Sequence, residues 1–183
     1  MKEMTICDPE TYYGADVQKF IESRRQDTDK QWIFDLIENK VCVNETVYVE
    51  NDDALLCKDI HPGNDLRYLL IFRDRNLKTI RDLNVGHVEM LSGALEMVQC
   101  FLREQGENND SKWYIFFHYM PSVFQLHAHV STLRMNLDNN RKHPLHVVVR
   151  NLVEDSNHYQ NAMFLTPLSR ALKSLNVYKS IKA

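Results

Sequence analysis

Two runs of strand-forming residues, Trp113-Tyr114-Ile115-Phe116-Phe117-His118-Tyr119 and Phe124-Gln125-Leu126-His127-Ala128-His129-Val130, are separated only by Met120-Pro121-Ser122-Val123. A parallel return needs a crossover of a dozen or more residues, so a gap this short makes the two strands antiparallel neighbours. The run Tyr68-Leu69-Leu70-Ile71-Phe72 is apolar throughout, as a buried central strand requires. Thr46-Val47-Tyr48-Val49 and Ala54-Leu55-Leu56-Cys57 flank Glu50-Asn51-Asp52-Asp53, whose composition suits a hairpin turn.

Between His87 and Gln105, Leu91, Leu95, Val98 and Leu102 recur at helical spacing, and Gly106 is placed to end the helix. Further helices are expected from Asp16 to Glu38, with a break near Asp27-Thr28-Asp29, and from about Pro144 to Val153. A last one is expected over Pro167 to Leu175, with Thr166 as N-cap and Pro167 as the first helical residue. Together these elements describe an α+β fold, an antiparallel sheet packed with helices.

At 183 residues and 44% hydrophobic, the chain has the material for one compact domain. Five Gly and five Pro leave no linker-like stretch. We divide it into a partly helical N-terminal lead-in, residues 1–29, and a domain over residues 30–183. The 22 basic and 25 acidic residues give a net charge of -3, without the basic excess that gripping long nucleic acid demands. A small anionic ligand is the better match. Cys7, Cys42, Cys57 and Cys100 lack the paired spacing of a zinc ribbon or a disulfide framework, which points to a reducing compartment, cytoplasmic with the nucleus as a second location. No apolar run approaches the ~18–20 residues of a membrane helix, so no membrane partner is expected.

On a strand, Gln125, His127 and His129 share one face while Leu126, Ala128 and Val130 feed the other. Depending on register, His118 or Tyr119 approaches the same face. Three readings of this stripe stand side by side: a polar half-exposed strand, a zinc or copper site built from His-x-His plus a third His, or nucleophilic catalysis on phosphorus. The last needs a neutral imidazole of fixed tautomer and donors for the phosphate oxygens.

The string His118-Tyr119-Met120-Pro121-Ser122-Val123-Phe124-Gln125-Leu126-His127-Ala128-His129-Val130 closely resembles the catalytic region of the scavenger messenger-RNA decapping enzymes, members of the histidine-triad superfamily. Their pattern is His-Tyr-Leu-Pro-Ser, two aromatics, then His-x-His-x-His-x. Gln31-Trp32-Ile33-Phe34, Lys58-Asp59-Ile60, Ile80-Arg81-Asp82-Leu83 and Asn157-His158-Tyr159-Gln160 are similar to further family landmarks, in order, from Lys30 to Leu175. The resemblance implies a histidine-triad (HIT-like) catalytic domain that forms a homodimer. Its implied activity is hydrolysis of the triphosphate bridge of methylguanosine cap dinucleotide or short capped RNA through a phosphohistidine, with no cofactor and no metal.

By position, the resemblance makes His127 the nucleophile, with His129 and Gln125 as the flanking triad positions. His118, Ser122 and Arg141 become phosphate contacts. It assigns the cap base to Trp32, Ile60 and Asp59, with Glu45 as a second carboxylate. An indole suits that base because methylation at N7 makes the ring cationic. The chain departs from the pattern at Gln125, where the family has the first triad histidine. It departs also at Val123, where Tyr is frequent, at His61, where Lys is common, and in length, because only the final part of the family's N-terminal domain fits before Trp32. Two rivals accompany this reading: a cap- or dinucleotide-binding protein with reduced or lost catalysis, and a histidine-triad hydrolase of other dinucleoside polyphosphates.

Overall fold

The computed structural model describes residues 4–38, 46–59, 67–107, 113–132, 141–167 and 180–181. From the N-terminus come β1 (Met4–Cys7), α1 (Pro9–Tyr13), α2 (Ala15–Arg25) and α3 (Gln31–Ile37). Next are β2 (Val47–Glu50), β3 (Ala54–Lys58), β4 (Arg67–Phe72) and α4 (Val88–Glu104). The described chain ends with β5 (Trp113–His118), β6 (His127–Thr132), β7 (Lys142–Pro144), α5 (Leu145–Glu154), α6 (His158–Asn161), β8 (Phe164–Pro167) and β9 (Ser180–Ile181).

A six-stranded antiparallel sheet in the order β2-β3-β4-β6-β5-β7 organises the molecule. Its first hairpin turns where the composition predicts: Asn51 Oδ1 accepts from the backbone N–H groups of Asp53 (3.0 Å) and Ala54 (2.8 Å). The apolar run of β4 lies between β3 and β6, with Leu70, Ile71 and Phe72 buried. As the short gap between them required, β5 and β6 are antiparallel neighbours.

Register assigns the two faces. Leu69 pairs with His129 and Ile71 with His127, while Leu55 and Cys57 of β3 pair with Ile71 and Leu69. These residues share a face with the histidines, and α3 covers part of it through Ile33, Phe34, Leu36 and Ile37. The opposite face carries Leu56, Leu70, Phe72, Phe117, Ala128 and Val130 into the main core under α4 and α5, where Leu91, Val98, Leu102, Val148 and Leu152 are buried. At φ 81°, Gly106 ends α4 in the left-handed conformation that glycine adopts without strain.

Two expectations are corrected. The strand begins at His127, not Phe124, so Gln125 lies outside the alternation. Its approach is diverted because the Leu126 N–H donates to the Leu77 carbonyl (2.7 Å), across the loop that follows β4. The helix expected to start at Thr166 and Pro167 is instead β8 at that point, and residues 168–175 lie outside the described residues. Thr166 is buried and its Oγ1 accepts from the Met120 N–H (3.1 Å), so it cannot serve as an N-cap.

A second sheet, β8-β1-β9, went unforeseen because β1 and β8 are four residues each and pair only with segments remote in sequence. It is tied to the main sheet by Arg81, which is fully buried. Arg81 Nε donates to the Tyr119 hydroxyl (2.7 Å), Nη2 to the Cys7 carbonyl (2.7 Å), and Nη1 to the Tyr159 and Gln160 carbonyls (both 3.2 Å). The guanidinium also lies 4.6 Å from the Phe164 ring centre and 5.2 Å from those of Tyr12 and Tyr119.

Candidate active site

Alternation along β6 puts His127 and His129 on the face that α3 only partly covers. On the neighbouring strand, Phe116 pairs with His129, so His118, two residues further on, emerges on that same face. The three imidazoles converge: ring centres are 4.6 Å apart for His118–His129 and 5.5 Å for His127–His129. Phe116 stacks on His129 at 5.7 Å with a 25° interplanar angle. The alternative strand residue, Tyr119, is fully buried against Arg81 and takes no part in the cluster.

His127 Nδ1 is 2.7 Å from the Gln125 backbone carbonyl. A carbonyl can only accept, so Nδ1 carries the ring proton and Nε2 the lone pair. Burial, followed by the neighbouring His129, pushes His127 down to about 4. The imidazole is therefore neutral near pH 7, as a nucleophile must be. Burial pushes His118 further, to about 3, with His129, Arg141, His127 and Lys142 adding positive potential.

Position 125 contributes its backbone to this arrangement. The Gln125 side chain is fully buried, and its Nε2 donates to the Phe72 carbonyl (2.8 Å) and the Asp74 carbonyl (2.9 Å). These bonds pin the residue whose carbonyl sets the tautomer of His127. The reading of a merely half-exposed polar strand does not describe these positions: Gln125 is inaccessible and His127 is only 8% exposed.

The family model for the C-terminal binding domain of scavenger mRNA decapping enzymes matches residues 31–143. The chain belongs to this family. It is 26% identical over 140 residues to the m7GpppX diphosphatase of Sus scrofa, covering 71% of this chain and 42% of that one. It is also 26% identical over 137 residues to the m7GpppX diphosphatase of Schizosaccharomyces pombe, covering 70% of this chain and 44% of that one. The chain thus spans about two-fifths of the length of these curated relatives. Among solved structures, a histidine triad protein from Clostridium difficile aligns with a TM-score of 0.49 and 14% identity, over 62% of this chain and 98% of that one.

In this decapping-family domain, Arg141 lies beside the loop between β5 and β6. Its Nη2 donates to the Met120 carbonyl (3.3 Å), and its own carbonyl accepts from the Tyr119 N–H (2.9 Å). Ser122 is exposed on the same loop. Trp32 is half-buried on α3 and packs, with Val123, on the cluster containing Leu69 and Ile71, the strand partners of His129 and His127. Ile60 and Glu45, like His61, lie outside the described residues. Asp59, assigned from sequence to the guanine edge, has Oδ2 3.3 Å from His129 Nδ1.

Two participants were missed in the sequence. Phe116 backs His129, and Lys142 Nζ lies 5.0 Å from the Phe116 ring centre. The two-residue spacing of Phe116 and His118 was a usable signal for a shared face. Nothing in the sequence, however, paired Lys142 with this edge.

Proposed function

We propose that this decapping-family domain hydrolyses the triphosphate bridge of methylguanosine cap dinucleotide or short capped RNA, releasing methylguanosine monophosphate through a phosphohistidine on His127. The observation that carries this reading is the 2.7 Å bond from His127 Nδ1 to the Gln125 carbonyl, which leaves Nε2 unprotonated in a buried, neutral ring. Attack by Nε2 forms a P–N bond as the P–O bond to the departing nucleotide breaks. Water then adds to phosphorus, breaks the P–N bond and restores the imidazole.

The relatives named m7GpppX diphosphatase support the substrate class. So does Trp32, an indole for a cationic base on the sheet face that bears the histidines. His118, Ser122 and Arg141 are the candidate phosphate donors.

Gln125 favours the second reading, a cap-binding protein with reduced catalysis. That rival is weakened because the group position 125 presents to His127 is a backbone carbonyl, available from any residue. The test compares cap dinucleotide with its unmethylated analogue for wild type, His127→Asn and Gln125→His. Turnover of the methylated substrate is expected, falling at least about 10³-fold in His127→Asn. Binding without turnover, rescued by Gln125→His, would establish the second reading. Equal turnover of the unmethylated analogue would instead mark a general dinucleoside polyphosphate hydrolase.

A homodimer is part of this proposal. Among the described residues, β7 pairs with β5 only over Phe116–His118, so the outer edge of β5 at Trp113–Ile115 has no strand partner. Beside that edge is a cavity of about 340 Å³ lined mainly by Leu95, Leu102, Trp113, Ile115 and Leu145, with Gln99 and His146 at its wall, and among the described residues no acceptor meets the buried Trp113 Nε1. An open edge next to a largely apolar hollow suits pairing with a second copy.

A further inference from the structure

Among the described residues, His129 is the one of the three clustered imidazoles in contact with a carboxylate. Asp59 follows β3 directly, and its side chain is only 5% exposed. An ionised carboxylate can only accept, so the 3.3 Å contact with Oδ2 puts a proton on His129 Nδ1 and leaves Nε2 as the exchanging nitrogen. Ring rotation is restrained from the other side by the stacked Phe116.

Among the described residues, the charged and titratable groups around the ring are His127 on β6, His118 on β5, and Asp59. Arg141 and Lys142 reach the cluster through their effect on His118. Both other imidazoles are strongly disfavoured as cations, firstly by burial and next by His129 itself.

We propose that Asp59 is a positioning residue that holds His129 with Nδ1 protonated, making His129 the imidazole that carries the proton in the hydrolysis. This rests on the cap-hydrolysis reading above, and it gives Asp59 a role different from reading the guanine edge. As His127 Nε2 bonds to phosphorus and the P–O bond breaks, the His129 imidazolium gives its Nε2 proton to the departing phosphate oxygen. His129 is then neutral, with Nδ1–H still on Asp59. When water attacks the phosphohistidine, its proton passes to His129 Nε2, its oxygen bonds to phosphorus, and the P–N electron pair returns to His127. One water is consumed and the starting protonation state is recovered.

The test joins long-range ¹H–¹⁵N spectra of the free protein with kinetics on cap dinucleotide. In wild type, the neutral form of His129 is expected to hold its ring proton on Nδ1. Asp59→Ala should lose that preference, while Asp59→Asn, whose amide oxygen still accepts, should keep it. The His127 Nδ1–H signal in the same spectra reports that the fold is intact. In turnover, Asp59→Ala should lower kcat at least about 10-fold with little change in KM, up to the roughly 10²–10⁴ that a positioned acid–base group contributes. Asp59→Asn should keep kcat closer to wild type than Asp59→Ala does, because its amide oxygen still accepts from His129 Nδ1. The proposal is overturned if His129 keeps Nδ1 protonated in Asp59→Ala, or if that variant raises KM at unchanged kcat. If wild type does not turn over cap dinucleotide, the hydrolysis reading fails and with it the proton-carrying role, while the spectra still decide whether Asp59 positions His129.

Discussion

Gln125 contributes to the site through its main chain. Its carbonyl orients His127 through the main chain, and its side chain holds that carbonyl in place by bonds to Phe72 and Asp74. Gln125→Ala leaves the Phe72 carbonyl, buried, and the Asp74 carbonyl, partly buried, without that donor, a cost of about 1–3 kcal/mol that urea unfolding would measure. With the carbonyl less firmly held, the tautomer of His127 is less well defined. We expect kcat for cap dinucleotide to fall about 10-fold in Gln125→Ala while KM changes little, and steady-state kinetics would separate the two. An unchanged kcat would mean that the main chain alone holds the carbonyl.

The elements meet at Arg81. Its guanidinium bonds to the end of β1, to α6 and to the residue that follows β5, so it joins the small sheet to the segment leading from His118 into the loop bearing Ser122. Replacing it with Met keeps much of the volume but strips donors from the Tyr119 hydroxyl and three carbonyls. Because hydrogen bonds from a charged donor contribute about 1.5–3 kcal/mol each, we expect a loss of several kcal/mol, on the order of 3 or more. Chemical denaturation of Arg81→Met provides the check, and Arg81→Lys should recover only part, since a single ammonium cannot reproduce the fork.

For the whole molecule, acid is the expected weak point. His118, His127 and His143 are held neutral chiefly by burial, at about 3, 4 and 4. In the unfolded chain they titrate near 6.5. Between pH 6.5 and about 4 the unfolded state binds more protons, so stability is full above that window and drains away as pH falls through it. His127 alone should contribute on the order of 3 kcal/mol to that loss. Urea midpoints at pH 7 and pH 4.5 measure it, and His127→Asn should flatten the slope. Assembly is tested at the same scale: wild type should sediment as a dimer, and Leu95→Glu, which places a charge in the cavity beside β5, should shift it toward monomer.

The sequence by itself determined the elements that local pattern controls. The α4 stripe, the hairpin around Asn51, the apolar β4 and the antiparallel pairing of β5 with β6 all follow from periodicity, turn chemistry or connection length, quantities carried by neighbouring residues. Family membership was legible in the string from His118 to Val130, because spaced histidines on a strand are a local pattern too. Tertiary structure decided what depends on residues far apart along the chain. The strand was shortened to begin at His127 because Leu126 bonds to Leu77. Thr166 went to β8 because β1 pairs there, and Arg81 was caged by three distant segments. Asp59 reached His129 across 70 residues. Alternation could say which side chains share a face, but not which carbonyl or carboxylate each meets, since those partners are supplied by the packing of other strands.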